Sequence, residues 1–454
     1  MAIFKAYDIR GVVPDELDDE KAYAIGRATA SFLAVSHVVV GRDARASSPA
    51  LANALIQGVL DEGTSVHDIG LVSGPMVLHG VEALGAGGGV MVTASHNPAR
   101  YNGFKICREH AIPVGEATGL RDIETAVEMR RQAPVQRGEA VCEEVRLLDR
   151  YRDHVLALAE RAPEARLRVA IDCGNGMASV GLEPVLDKLS LEIERLYFEP
   201  DGTFPNHEAD PLKLENLEDV QAAVLRTGAD FGVAFDGDAD RAVFVDEAAR
   251  PISSDLITAV LARRQLARQP GGRVLYDLRS SRAVAEEIEA AGGVPGMSRV
   301  GHSFVKAQMR DEGALFAGEL SGHFYFRFSD NLVADDGVAA FLALVDLLVA
   351  ENRPLSELVD PLRRYAASGE INRRVPDVDA VLDVIRAEHA GAPEISELDG
   401  LLVRYPEWWF NLRPSNTEPV LRLNLEADGE ERMQEERDRM LARIASLGGE
   451  VAPG

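Results

Sequence analysis

Cysteine is scarce: Cys107, Cys142 and Cys173 are the only three in 454 residues. No two of them have the C-x-x-C spacing that holds zinc or cycles as a redox dithiol. An odd, widely spaced set excludes a disulfide framework and reads as reduced, packed thiols of a cytoplasmic protein. Positive charge is also in short supply, with 48 Lys and Arg against 74 Asp and Glu and a formal charge of −26. A field of that sign repels nucleic acid and anionic membranes, so neither is expected as a partner. The only lysines are Lys5, Lys21, Lys105, Lys188, Lys213 and Lys306, and an anionic ligand would need a local basic pocket. Long apolar runs are missing. Val338–Val349 is interrupted by Asp346 and is shorter than the ~20 residues of a membrane span, so it reads as a buried helix. Met1 to Gly11 reaches Lys5, Asp8 and Arg10 without an apolar stretch, and is read as neither signal peptide nor anchor.

What is present is α/β patterning in a chain too long for one core, which stops growing near ~250–300 residues. Short apolar runs lead into polar turns and then into helical periodicity, as parallel strands with crossover helices do. His37–Val40 runs into Gly41-Arg42-Asp43, Val90–Val92 into a serine turn, Val169–Ile171 into Asp172–Gly176, and Arg273–Tyr276 into Asp277. Each polar motif falls beyond a strand C-terminus, where ligand-facing loops of such sheets lie. Composition places domain boundaries at 1–145, 146–250, 251–368 and 369–454, with helices over 147–162 and 429–446. Similar strand-helix units recur without a fixed-period repeat.

Four segments carry chemistry. Thr93-Ala94-Ser95-His96-Asn97-Pro98 follows Gly87-Gly88-Gly89 and allows a sharp turn that lifts a hydroxyl clear of the sheet; alone, such a serine is more often a cap or turn residue. His96, as an i,i+1 neighbour on a strand, is expected to point away from Ser95. Asp236-Gly237-Asp238-Ala239-Asp240-Arg241 puts carboxylates at alternate positions, where they repel unless a cation intervenes. An EF-hand is excluded because Arg241 stands where the loop needs glycine and the flanks, Phe231–Phe235 and Ala242–Val245, read as strands. Gly318-Glu319-Leu320-Ser321-Gly322-His323 offers an acceptor, a hydroxyl and a ring donor suited to sugar hydroxyls. Arg413, Ser415, Asn416 and Thr417 suit a phosphate cradle or, equally, a β-turn with a surface arginine.

Together these segments, with Tyr7-Asp8-Ile9-Arg10-Gly11 and Arg413–Pro419 at the two ends, make the chain resemble the α-D-phosphohexomutases of the phosphomannomutase/phosphoglucomutase group over essentially its full length. The resemblance implies three related mixed-sheet α/β domains plus a smaller C-terminal α+β domain around a central cleft. It implies a phosphoserine at Ser95, and Mg²⁺ held by Asp236, Asp238 and Asp240 with a phosphoserine oxygen. It further implies charge offset by Arg241, proton exchange near Lys105 and His302, and a cleft floor of Tyr7 and Arg10. The sugar would be read by Glu319, Ser321 and His323, and the non-reacting phosphate held by Arg413, Ser415, Asn416 and Thr417. Lys306 reads as a nearby surface charge. Arg279 stands where many relatives have Lys, which alters a sugar or phosphate contact. The implied reaction interconverts hexose 1-phosphate and 6-phosphate through a hexose 1,6-bisphosphate, which also serves as activator. Gly318–His323 and Phe204-Pro205-Asn206-His207 favour mannose phosphate, with glucose phosphate beside it; a phosphoglucosamine mutase is the enzyme alternative, and the expected assembly is a monomer or homodimer. Two other readings stand against these: a Ca²⁺-binding structural protein and a metal-dependent phosphatase using Ser95.

Overall fold

Four sheets organise the chain in the computed structural model, which describes residues 3–130, 134–414 and 420–451. The first has strand order Ile9–Val12, Tyr101–Arg108, Gly88–Val92, His37–Arg42, Ser65–Leu71, Cys142–Glu144; the second runs Pro251–Ile252, Ala242–Asp246, Phe231–Phe235, Arg168–Asp172, Glu192–Leu196. The third runs Val294–Ser298, Arg273–Asp277, Phe316–Gly318, Phe324–Arg327, Val333–Asp335. In each, parallel strands linked through helices give way at one edge to two antiparallel strands. The C-terminal sheet is antiparallel throughout, with helices Val378–Glu388 and Glu430–Ser446.

This shared plan places the site. The last parallel strand of each α/β domain turns by a hairpin into the first antiparallel strand, and those hairpins are 93–100, 236–241 and 319–323. The serine, aspartate and Glu319–His323 segments therefore occupy equivalent positions in three copies of one architecture. Strands flanking Asp236–Arg241 in register Phe235↔Ala242 remove the helical flanks an EF-hand needs.

One apolar cluster runs continuously through the first three domains, whereas the fourth has its own around Phe410, Leu412 and Leu423. Helix Gly337–Glu351 lies at the centre of the larger cluster, buried from Gly337 to Leu348, as an all-round apolar helix must be. Asp346 is tolerated there because its carboxylate accepts from the Arg161 N–H at 2.6 Å and from Arg264 Nε at 2.5 Å. Cys107 and Cys173 are buried, but Cys142 is exposed on the edge strand Cys142–Glu144, so the expectation of packed thiols holds for two of the three.

The first two domains meet at a close pair of imidazoles, His79 on helix Gly74–Ala83 and His154 on helix Leu148–Leu156, with ring centroids 4.3 Å apart and planes tilted by 34°. Burial, with His154 and Arg150 beside it, pushes His79 down to about 4. A base that is harder to protonate folded than unfolded gives stability that is complete above the unfolded value near 6.5 and is lost as pH falls toward 4. Replacing His79 by Phe should make the protein about 2 kcal/mol less sensitive to a drop from pH 7 to pH 5, measured by urea unfolding. An equal loss in both proteins would refute the linkage.

Candidate active site

Ser95 sits in the left-handed region at φ 49° and is 1 % exposed, a conformation that costs a non-glycine residue roughly 1 kcal/mol. Arg45 holds the turn. Its guanidinium donates to the carbonyls of Ser95 and Asn97 at 2.7 Å, Pro98 at 2.8 Å and Tyr101 at 2.9 Å, and pairs with Asp43 at 3.0 Å. Phe204 covers it from the second domain, with the guanidinium carbon 5.1 Å from the ring centre. Sequence reasoning missed Arg45; its only signal was its place just after the Gly41-Arg42-Asp43 strand end.

The Ser95 hydroxyl donates to Asp236 Oδ2 at 2.8 Å, so hairpins from two domains share one point. Gly237 makes that approach possible: a Cβ there would lie 2.3 Å from the Ser95 carbonyl oxygen. His96 does not point away as expected. The turn brings its Nδ1 to 3.2 Å from Ser95 Oγ, because Ser95 has left the strand and the two-residue alternation no longer applies. Burial, reinforced by Arg241 and Arg10, pushes His96 down to about 2, leaving it neutral.

Backbone groups from three domains fix the aspartate hairpin. Gly74 N–H donates to the Asp238 carbonyl at 2.9 Å, Met177 N–H to Gly237 at 3.0 Å and Gly337 N–H to Ala239 at 3.1 Å. Asp236, Asp238 and Asp240 each offer an oxygen within 4.8 Å of the others. Asp238 Oδ1 and Asp240 Oδ1 are buried with no hydrogen-bond partner among the described residues. Orphaned hard oxygens converging in this way fit a divalent cation of the Mg²⁺ or Ca²⁺ type. Burial, with Asp240 and Asp238 alongside, raises Asp236 well above the carboxylate range; burial also opposes ionisation of Asp240, but Lys105 and His323 hold it well below that range.

The residues expected around this centre are largely brought together. Lys105 Nζ lies 2.6 Å from Asp238 and 2.7 Å from Asp240. Arg241 Nε approaches Asp236 at 3.8 Å and Asp240 at 3.9 Å, and donates to His323 Nε2 at 3.3 Å. His323 Nδ1 is 2.9 Å from the Ser321 hydroxyl. Arg10 donates to the Asn97 side chain at 2.6 Å, and the Tyr7 ring lies 5.7 Å from that of His302. Burial, with Lys306 and Lys105 nearby, pushes His302 down to about 3. A cavity of ≈ 840 Å³ opens between the first and third domains beside Tyr7, Lys5, Arg121 and Arg299.

Other placements differ from simple expectation. Lys306 is not a surface charge: it is 3 % exposed and pairs with Asp335 at 2.8 Å. Glu319 is 1 % exposed and spends its carboxylate within the protein, accepting from the Gly301 N–H at 2.7 Å and from the Tyr325 hydroxyl. Arg279 is braced by Asp277 at 2.8 Å and reaches Glu370 at 3.6 Å. Arg413, 7 % exposed, reaches the same carboxylate at 3.6 Å, and is no surface arginine. Ser415, Asn416 and Thr417 lie outside the described residues.

Models of phosphoglucomutase/phosphomannomutase alpha/beta/alpha domains I, II and III match residues 1–133, 149–249 and 253–365, and that of the C-terminal domain matches 370–443. The chain belongs to this family. It is 41% identical to a protein named phosphohexose mutases of Xanthomonas campestris pv. campestris, over 97% of this chain and 98% of that one. It is 40% identical to a phosphomannomutase of Escherichia coli, over 94% and 95% of the two chains. A crystal structure of a phosphoglucomutase/phosphomannomutase family protein from Burkholderia thailandensis superposes with TM-score 0.89 at 33% identity, over 99% of this chain and 98% of that one. Membership makes the chain an enzyme of intramolecular phosphoryl transfer, and no helix among the described residues is long and apolar enough to cross a membrane.

Changing Gly237 to Ala should separate the two hairpins. The expected result is loss of at least nine-tenths of activity with a fall in Tm of a few degrees, read by coupled assay and calorimetry; near-normal turnover would show that the close approach is dispensable.

Proposed function

We propose that the protein interconverts hexose 1-phosphate and hexose 6-phosphate, with mannose phosphate the preferred substrate and glucose phosphate a second. The observation that carries this reading is the 2.8 Å contact between Ser95 and Asp236 inside the aspartate cluster. The names of the relatives, including a phosphomannomutase/phosphoglucomutase of Pseudomonas syringae at 38% identity, support the substrate class.

In this scheme phospho-Ser95 donates its group: the Oγ–P bond breaks as a bond from phosphorus to the sugar hydroxyl forms, and the hydroxyl proton passes to a base. Asp236, Asp238 and Asp240 would hold Mg²⁺, which supplies charge neutralisation for the transferring group. Arg241 adds fixed positive charge at the same place. His302, kept neutral by burial, serves as the proton acceptor, and Lys105 balances the aspartates. Tyr7 and Arg10 shape the floor, and Ser321 and His323 contact the sugar, with Glu319 setting the loop that presents them. Arg279 and Arg413, with Ser415, Asn416 and Thr417, hold the phosphate that is not reacting. The hexose 1,6-bisphosphate turns over in the cleft and returns its other phosphoryl group to Ser95, which makes added bisphosphate an activator.

Intact mass should show a fraction of the protein heavier by one phosphoryl group, absent in Ser95→Ala. The coupled assay should convert mannose 1-phosphate with little release of inorganic phosphate; steady phosphate release would favour a phosphatase, and faster turnover of glucosamine phosphate would reassign the substrate. Asp238→Ala should lower Mg²⁺-dependent kcat at least a hundredfold with Tm nearly unchanged, and undiminished activity would refute the metal assignment.

A further inference from the structure

Arg413 and Arg422 are directly opposed on neighbouring strands of the C-terminal sheet, in the register pair Arg413↔Arg422. Like charges at that spacing destabilise a sheet unless something stands between them. Arg279 approaches from the third domain, and the Nε atoms of Arg413 and Arg422 are buried without hydrogen-bond partners among the described residues. The group that stands among all three is Glu370. One carboxylate oxygen accepts from Arg422 at 3.1 Å, while the other lies 3.6 Å from Arg279 and 3.6 Å from Arg413. Those two longer distances are ion-pair contacts rather than hydrogen bonds, so this oxygen sits between two forks without satisfying either.

We propose that Glu370 is an internal anion occupying the distal-phosphate cradle of the ligand-free enzyme, and that the substrate's non-reacting phosphate must displace it. The inference rests on the cradle reading of Arg279 and Arg413 given above. A phosphate dianion cannot share the cradle with a carboxylate without strong repulsion. Glu370 has room to swing out by side-chain rotation: its side chain is a quarter exposed, and it follows Gly369, at φ 66°, in the break between Ala366–Ala367 and Ile371–Arg374, which both pair with Val420–Ala427. An internal competitor of this kind lowers affinity for the phosphate and hastens its release. The proposed reaction needs that release each time the bisphosphate exchanges its two ends. Glu370 is thus a residue that sets affinity for the ligand while Arg279 and Arg413 make the contacts.

Calorimetric titration of inorganic phosphate into Glu370→Gln and into the natural protein tests this, alongside KM for mannose 1-phosphate. Removing the competing charge should tighten phosphate binding and lower KM about fivefold, the order set by one partly exposed charge pair. Glu370→Asp, which withdraws the carboxylate by one methylene, should shift both in the same direction by less. The cradle's share of the binding signal is the part abolished in Arg413→Gln. Weaker or unchanged phosphate binding in both Glu370 variants, with the Arg413→Gln loss intact, would overturn the displacement and make Glu370 a brace for the arginines. No loss in Arg413→Gln would instead overturn the cradle itself.

Discussion

Three carboxylates within five residues, buried and mutually repelling, are the constraint on which the rest of the site depends. Asp236, Asp238 and Asp240 are each less than a tenth exposed, and such a cluster exists only if positive charge and backbone donors are built around it. Lys105 from the first domain and Arg241 on the hairpin itself supply the charge. Backbone N–H groups of Gly74, Met177 and Gly337 tie the hairpin to the elements around it. These ties explain why one apolar cluster spans the first three domains: a loop that must be gripped from three sides requires three rigid bodies in fixed relation.

Charge is arranged by the same logic at a second place. Arginine accounts for nearly all the basic residues, and its planar fork suits both tasks the structure gives it. Arg45 uses the fork to collect four carbonyls and hold a strained turn. Arg279, Arg413 and Arg422 present theirs to one anion across the boundary between the third and fourth domains. The overall charge of −26 means that both clusters are local exceptions in a chain whose long-range field is negative.

Much of the fold was legible because its signals are local. The apolar run Phe231–Phe235 predicts its strand to the residue, and the buried helix expected around Val338–Val349 differs from the observed Gly337–Glu351 only at its ends. The helix read over 147–162 proves shorter, Leu148–Leu156 followed by a turn at Ala162–Glu164. Arg45, His96 and Glu370 were not legible as site residues. Nothing in their neighbours' periodicity reports a partner: Arg45 acts on carbonyls about fifty residues away, and Glu370 meets guanidinia from two other strands and a loop. The burial of Lys306 is illegible for the same reason, since the carboxylate that makes it tolerable lies on the distant strand Val333–Asp335.

The order of residues alone determined the hairpin loops, because glycine spacing, apolar alternation and the crowding of like charge act over a few positions and need no distant partner. It also determined the family, whose motifs lie along the whole chain. Only the tertiary structure decided that the loops are equivalent corners of repeated sheets and that the serine and aspartate hairpins touch at Ser95 and Asp236. It likewise decided that Glu319 faces inward and that Glu370 lies among three arginines. Distances between groups hundreds of residues apart are set by packing of whole domains, and no local pattern carries that information.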